Sequence, residues 1–259
     1  MPAVTVAVDE GLARLTLARP DAANTIDDEL ARDLRSAVVS ISMDRSVRAV
    51  LLTGEGRIFC GGGDLRAFRE AGDGLPALIA DTTIDLHAAL SRMAKLEAPI
   101  VAAVQGAAGG AGLSLVAAAD RVVAGESAAF RMGYTAAGLA PDGSSSFYLA
   151  RVVGLRRAMD LALTNRTLDA ATAESWGLVN RVVPDDRVAE EGEALARRLV
   201  AGPRVAQAEA KRLLVRGATS ALEEAMERES LAITRASATP DAREGIAAFL
   251  DKREPRFDA

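Results

Sequence analysis

Apolar and polar residues alternate at positions 4–8 and 12–17, the period of strands, and Asp9-Glu10-Gly11 between them is a hairpin turn signal. Arg19-Pro20 breaks the alternation, and the period then changes. From Thr25, with Asp28 three residues on as a capping-box partner, Leu30, Leu34, Ala37, Val38 and Ile41 fall on one helical face. Residues 47–53 form an apolar run that predicts a buried strand. A helix is predicted at 81–96, with Leu86, Ala89, Leu90 and Met93 as its apolar stripe, and Pro99 ends it. Residues 100–104 predict a second buried strand, followed by a small-residue helix to about Ala118. Short strands are predicted at 122–124 and 128–131, helices at 144–153, 156–163 and 170–176, and a last strand at 179–183. Beyond Val188 the pattern is helical throughout, at 188–201, 205–216, 220–237 and 243–252. The recurring strand–turn–helix units predict a layered α/β core. The change of pattern divides the chain into that core, 1–195, and a helical region, 196–259, suited to packing and oligomerisation.

Two of the apolar runs lead into glycine. Phe59-Cys60-Gly61-Gly62-Gly63-Asp64-Leu65 follows the first, and Gly106-Ala107-Ala108-Gly109-Gly110-Ala111-Gly112 follows the second. Glycine lets main-chain N–H groups approach a ligand with no side chain between them. Two such turns brought together aim two donors at one carbonyl oxygen, an oxyanion hole suited to an enolate or a tetrahedral adduct. Taken singly, each is also what a tight turn of any α/β protein looks like.

The 259 residues are 49% hydrophobic but only 3% aromatic, so the core must be built from closely packed Ala, Val and Leu. A net charge of −5 and a pI near 5.2 leave no global field to attract nucleic acid or an anionic membrane. The single cysteine excludes an intramolecular disulfide and fits a reducing cytoplasm. With a single histidine beside it, no Cys/His metal site is expected. No basic-then-apolar leader pattern opens the sequence, and no apolar run reaches about 18 residues. A cytoplasmic protein without a membrane span is expected.

Further strings stand in a definite order around the two turns: Arg19-Pro20 and Asn24, Gly138-Leu139-Ala140-Pro141-Asp142, Trp176-Gly177-Leu178-Val179, and the closing Arg243-Glu244-Gly245-Ile246-Ala247-Ala248-Phe249-Leu250. Together they resemble the crotonase, or enoyl-CoA hydratase/isomerase, superfamily across nearly the whole chain. The resemblance implies a spiral of ββα units with a C-terminal α-helical region, and trimers that often pair into hexamers. It implies an acyl-CoA thioester as substrate, with no cofactor beyond the coenzyme A that the substrate carries. The N–H groups of Gly63 and Ala111 are the implied oxyanion donors, alanine standing where relatives often have glycine. Substrate contacts are implied for Ala23, Asn24, Gly61, Gly62, Asp64, Leu65 and Gly110, and for Phe249 and Lys252 near the end.

Typical hydratases of the superfamily carry two glutamates, at the positions held here by Ser114 and Tyr134. Hydration needs one group to activate water and another to manage the α-carbon proton, so this site is poorly equipped for it. The remaining acid is Asp142, where some isomerases and a dehalogenase branch place their working carboxylate. From the residues alone, Pro141-Asp142-Gly143-Ser144 is also a helix-start string with Asp142 as N-cap. On the resemblance, one carboxylate beside an oxyanion hole suffices for a double-bond shift. Asp142 would take a proton from one carbon and return it to another, as in the phenylacetate-pathway enoyl-CoA isomerase branch. Residues 149–168 are instead similar to 4-chlorobenzoyl-CoA dehalogenase, in which the Asp142 position is a nucleophile. There the activating histidine falls on His87 and an aspartate-positioning donor on Tyr134, while Gly63 replaces an aromatic side chain. His87 reads equally as a half-buried structural residue on the flank of its helix. Hydration and non-catalytic acyl-CoA binding are further alternatives. An RNA-binding relative is disfavoured by the acidic balance and the lack of a basic, aromatic-studded strand. Cys60 reads as a small hydrophobe and Trp176 as a packing anchor.

Overall fold

The computed structural model describes residues 2–257. Strand β1 (Val4–Asp9) pairs antiparallel with β2 (Leu12–Leu17) through the predicted hairpin. Helix α1 (Asp28–Met43) buries the predicted face and returns the chain to β3 (Ala49–Gly54), parallel to β2. The start of α1 corrects the helix read from Thr25. Residues 25–27 stay outside the helix because Ile26 bridges to Gly63 and Asp27 is extended, with φ −112° and ψ −172°. The cap is Asp27, whose carboxylate accepts from Leu30 N at 2.9 Å.

Helices α2 (Leu65–Ala71) and α3 (Leu75–Met93) follow. The latter begins at Leu75 rather than at 81, because Pro76 sits in its first turn, where a missing N–H costs nothing. Strand β4 (Ile100–Val104) leads through β5 (Ala107–Gly109) into α4 (Ala111–Ala118). Then come β6 (Arg121–Gly125), β7 (Ala129–Arg131), α5 (Ser145–Val153), α6 (Leu155–Thr164), β8 (Leu168–Asp169), α7 (Ala170–Ser175) and β9 (Arg181–Val183). The main sheet has the order β1-β2-β3-β4-β6-β9, parallel from β2 onward, and β5-β7-β8 form a smaller second sheet. This is the expected α/β spiral of ββα units.

Parallel strands bury both faces, and their two-residue period divides each strand between two cores. Val50 and Leu52 of β3, with Ile100, Ala102 and Val104 of β4, join the large core that also holds the buried stripes of α1 and α3. Ala49 and Leu51, with Val101 and Ala103, face a smaller core closed by α8 (Val188–Val200). Because α8 is continuous and packed there, the expected division at 195/196 falls inside a helix of the core. Arg48 Nη2 donates to Gly202 O at 2.7 Å, so the core reaches that residue.

Helices α9 (Arg204–Gly217), α10 (Leu222–Ser237) and α11 (Pro240–Leu250) bury little. Lys211 holds α9 to the core, its Nζ lying 2.7 Å from the Asp120 carboxylate and donating to Met93 O and Ala98 O. Leu214, Leu222, Ile233, Ile246 and Leu250 stay exposed. Among the described residues no helix is long and apolar enough to cross a membrane.

Candidate active site

Because β3 and β4 are parallel neighbours, the turns that follow them emerge at the same edge of the sheet. Main-chain bonds then sew the turns together. Phe59 N donates to Gln105 O at 3.0 Å, and Gly109 N donates to Cys60 O at 2.9 Å. The contact is backbone on backbone: a Cβ on Gly62, whose φ is +96°, would lie 2.7 Å from Gly109 O. Glycine is required there on both counts.

This bonding leaves two donors over. Ile26 N donates to Gly62 O and Asp64 N to Ile26 O, a parallel bridge that turns the Gly63 N–H to the other side. Ala111 is the first residue of α4, where an N–H has no partner within the helix. Among the described residues neither N–H takes a protein acceptor, and Gly63 and Ala111 line one cavity of about 670 Å³. The amino-terminal end of α4 adds its partial positive charge to the attraction for a negative oxygen.

Gly61, Leu65, Gly110, Tyr134 and Asp142 line the same cavity. Gly62 lies in the contact between the two turns, and Ala23 accepts from Gly61 N through its carbonyl. Asn24 corrects the expectation of a substrate contact, because its side chain is fully buried and committed to protein. Its Oδ1 accepts from Arg19 N at 2.8 Å, and its Nδ2 donates to Glu55, Ile58 and Phe59 carbonyls at 3.0, 2.8 and 3.1 Å. Asn24→Ala is expected to lower stability by about 3 kcal/mol, since it strands several buried polar groups; urea midpoints measure the loss.

Asp64 is also structural. It caps α2 by accepting from Arg66 N and Ala67 N at 2.9 and 3.2 Å, and it accepts from Thr25 Oγ1 at 3.1 Å. Burial pushes its carboxyl up, but these bonds and the Arg19 charge outweigh that and hold it below the usual range. Cys60 is fully buried, with its thiol donating to Asn24 O at 3.1 Å. Burial drives that thiol up to about 12, against a bond from the Gly62 N–H, so it is a small core hydrophobe and no nucleophile. Phe249, 82% exposed, and Lys252 stand at the end of α11, outside the cavity lining. The structure does not bring them to the site within one chain, since α11 buries so little.

The opposite set of contacts centres on Asp142. Helix α3 contributes Thr82 and Leu86 to the cavity, and His87 follows on the flank of that face. His87 Nε2 and Asp142 Oδ1 form a short hydrogen bond, the imidazole N–H donating when the carboxylate is ionised. The N-cap reading of Asp142 is thereby corrected. Helix α5 has Ser144 as its cap residue, without a side-chain capping bond, and the Asp142 carboxylate is turned to His87. Tyr134 is corrected as well: its hydroxyl donates to the main-chain carbonyl of Asp142 at 3.1 Å and not to the carboxylate. Ser114 Oγ donates to the same carbonyl at 2.9 Å and lies 3.2 Å from the Tyr134 hydroxyl. Burial, opposed by the Ser114 bond and reinforced by the Asp142 charge, pushes the phenol up to about 12, so it keeps its proton.

Sequence reasoning missed two residues. Phe68 of α2 lies over Gly63, where an added Cβ would come 2.9 Å from the ring. Its signal was the i, i+3 pair Leu65 and Phe68 directly after the first Gly-rich turn. Ser114 was read only as an absent carboxylate, and nothing local marks its bond to a residue 28 positions away.

The enoyl-CoA hydratase/isomerase family profile matches residues 7–259. The 1,2-epoxyphenylacetyl-CoA isomerase of Escherichia coli strain K12 is 36% identical over 252 residues, covering 96% of both chains. The 4-chlorobenzoyl coenzyme A dehalogenase-1 of Arthrobacter sp is 35% identical over 254 residues, 96% of this chain and 91% of that one. A crystal structure of an enoyl-CoA hydratase from Polaromonas sp. JS666 superposes with a TM-score of 0.92 at 32% identity, over 98% of this chain and 99% of the other.

Proposed function

The chain belongs to the enoyl-CoA hydratase/isomerase family, and from that premise we propose that it shifts the double bond of an enoyl-CoA thioester, with Asp142 as acid and base. The observation that carries this reading is a single carboxylate, Asp142, in one cavity with two unpartnered main-chain donors, Gly63 and Ala111. Both positions at which typical hydratases hold their two glutamates carry hydroxyls, Ser114 and Tyr134. In the proposed cycle the thioester oxygen sits on the two N–H groups. Asp142 removes a proton from one carbon of the acyl chain, and the negative charge moves onto that oxygen, where the donors stabilise it. Asp142 then returns the proton to a second carbon. The His87 N–H occupies Oδ1 and leaves Oδ2 for the substrate. The Escherichia coli relative is named an isomerase of an acyl-CoA thioester, 1,2-epoxyphenylacetyl-CoA, which is in keeping with an isomerase.

The test offers 3-enoyl-, 2-enoyl- and 4-halobenzoyl-CoA to the purified protein in heavy water. Bond migration and deuterium uptake with the 3-enoyl thioester are expected. Fast hydration of the 2-enoyl thioester that survives Asp142→Asn would move the function to the hydratase reading, and tight binding without any exchange to the binder reading. The His87–Asp142 bond favours one second reading, dehalogenation. In it Asp142 attacks the ring carbon bearing the halogen, halide leaves, and water deprotonated by His87 hydrolyses the aryl ester. Halide release that requires both residues would establish it.

We also propose a homotrimer joined through α9–α11, supported by their exposed apolar residues, and a cytoplasmic location, supported by the single free cysteine. Light scattering is expected to give three times the 26.9 kDa chain mass, or six times if trimers pair; a monomer would overturn it.

A further inference from the structure

Asp142 precedes a turn that its own backbone does not favour. Gly143 and Ser144 have φ values of +61° and +65°, two successive left-handed residues, and the second carries a Cβ. Such a conformation persists only where its surroundings over-determine it. Here three donors converge on the Asp142 carbonyl: Ser114 Oγ at 2.9 Å, Tyr134 Oη at 3.1 Å and Ser145 N at 3.2 Å. Ser114 also lies directly beneath the turn, since a Cβ on Gly143 would come 3.1 Å from Ser114 Cβ.

The placement of Ser114 gives these bonds a functional meaning. It is fully buried in α4, three residues after Ala111, whose N–H opens that helix into the cavity. One short rigid element therefore carries an oxyanion donor at its first residue and a grip on the aspartate turn at its fourth. The grip is on the main chain, so it leaves both carboxylate oxygens free for His87 and for substrate.

We propose that Ser114 and Tyr134 are positioning residues, which lock the Asp142 turn to α4 and so fix the carboxylate relative to the Ala111 N–H. The proposal rests on the acid/base reading of Asp142. A serine that merely satisfies a buried carbonyl would matter for stability alone. A positioning pair controls the proton-transfer geometry, and small misplacements of a reacting group are costly in rate.

The test compares Ser114→Ala, Tyr134→Phe, the double variant and Asp142→Asn in the full chain, with 3-enoyl-CoA as substrate. Each single change is expected to lower kcat by roughly 2- to 3-fold, and the double change by roughly 30- to 100-fold, with KM within about threefold of its original value. The double loss should exceed the product of the singles, because either hydroxyl alone still holds the carbonyl. A double variant with unchanged kcat but a lowered melting temperature would make the pair structural and overturn the proposal. A raised KM at constant kcat would make it a substrate contact, with the same consequence. Should Ser114→Ala fail to fold, an unchanged kcat in Tyr134→Phe overturns it alone. If Asp142→Asn retains isomerase activity, the acid/base reading falls and the pair's role with it. If Asp142→Asn is inactive and the double variant keeps the original kcat, only the positioning role falls.

Discussion

Asparagine in place of Asp142 is expected to lower kcat for 3-enoyl-CoA isomerisation by roughly 10³-fold, with KM little changed. The substitution is nearly isosteric. Asn keeps an oxygen that can accept the His87 N–H, and the carbonyl contacts to Ser114 and Tyr134 belong to the main chain, so the turn should survive. What the amide lacks is a carboxylate oxygen to take the substrate's proton and return it. A 10³-fold loss corresponds to about 4 kcal/mol of transition-state stabilisation, in the middle of the span for general acid–base groups. Steady-state rates and deuterium uptake by the acyl chain read the two consequences separately. Uptake that continues while turnover stops would place Asp142 at the second transfer only. A loss smaller than about tenfold would assign the proton to another residue.

The parts of this architecture that were legible in the sequence are those where a local rule and burial agree. Residues 100–104 read as a buried strand because both faces of β4 are covered, leaving no polar alternation to interpret. The stripe Leu86, Ala89, Leu90 and Met93 marked α3 because one face of it enters the large core. The two Gly-rich turns showed through because a Cβ on Gly62 would lie 2.7 Å from Gly109 O, which leaves room for no other residue there. What failed was set from far along the chain. Residues 25–27 look like the first turn of a helix, yet the bridge from Ile26 to Gly63, 37 positions on, holds Ile26 out of it. Pro141-Asp142-Gly143-Ser144 is a sound capping string, yet His87, 55 positions away, claims the carboxylate. The division at 195/196 followed a change of pattern, whereas α8 answers to apolar residues of β3, β4 and β6 on the second face of the sheet.

Proline at position 111 is expected to reduce kcat/KM by roughly 10²- to 10³-fold while the protein stays folded. The change removes one proposed oxyanion donor and nothing else from the hydrogen-bond network, because the Ala111 N–H has no protein acceptor among the described residues. Position 111 is the first residue of α4, where proline breaks no internal bond and meets no preceding turn. Gly110 before it has no Cβ, and its ψ of −121° keeps its own nitrogen away from the proline ring. A melting temperature close to the original should therefore accompany the loss of about 3–4 kcal/mol in transition-state stabilisation. The ring carbon that replaces the hydrogen also enters the cavity, so crowding must be separated from lost stabilisation. A thioether analogue, which keeps the acyl chain but lacks the carbonyl oxygen, makes that separation. If the donor is what matters, the analogue should bind the variant nearly as well as the original protein while thioester turnover collapses. Equal weakening of both would mean that the ring simply fills the space, and the two-donor account of the enolate would lose its support at Ala111.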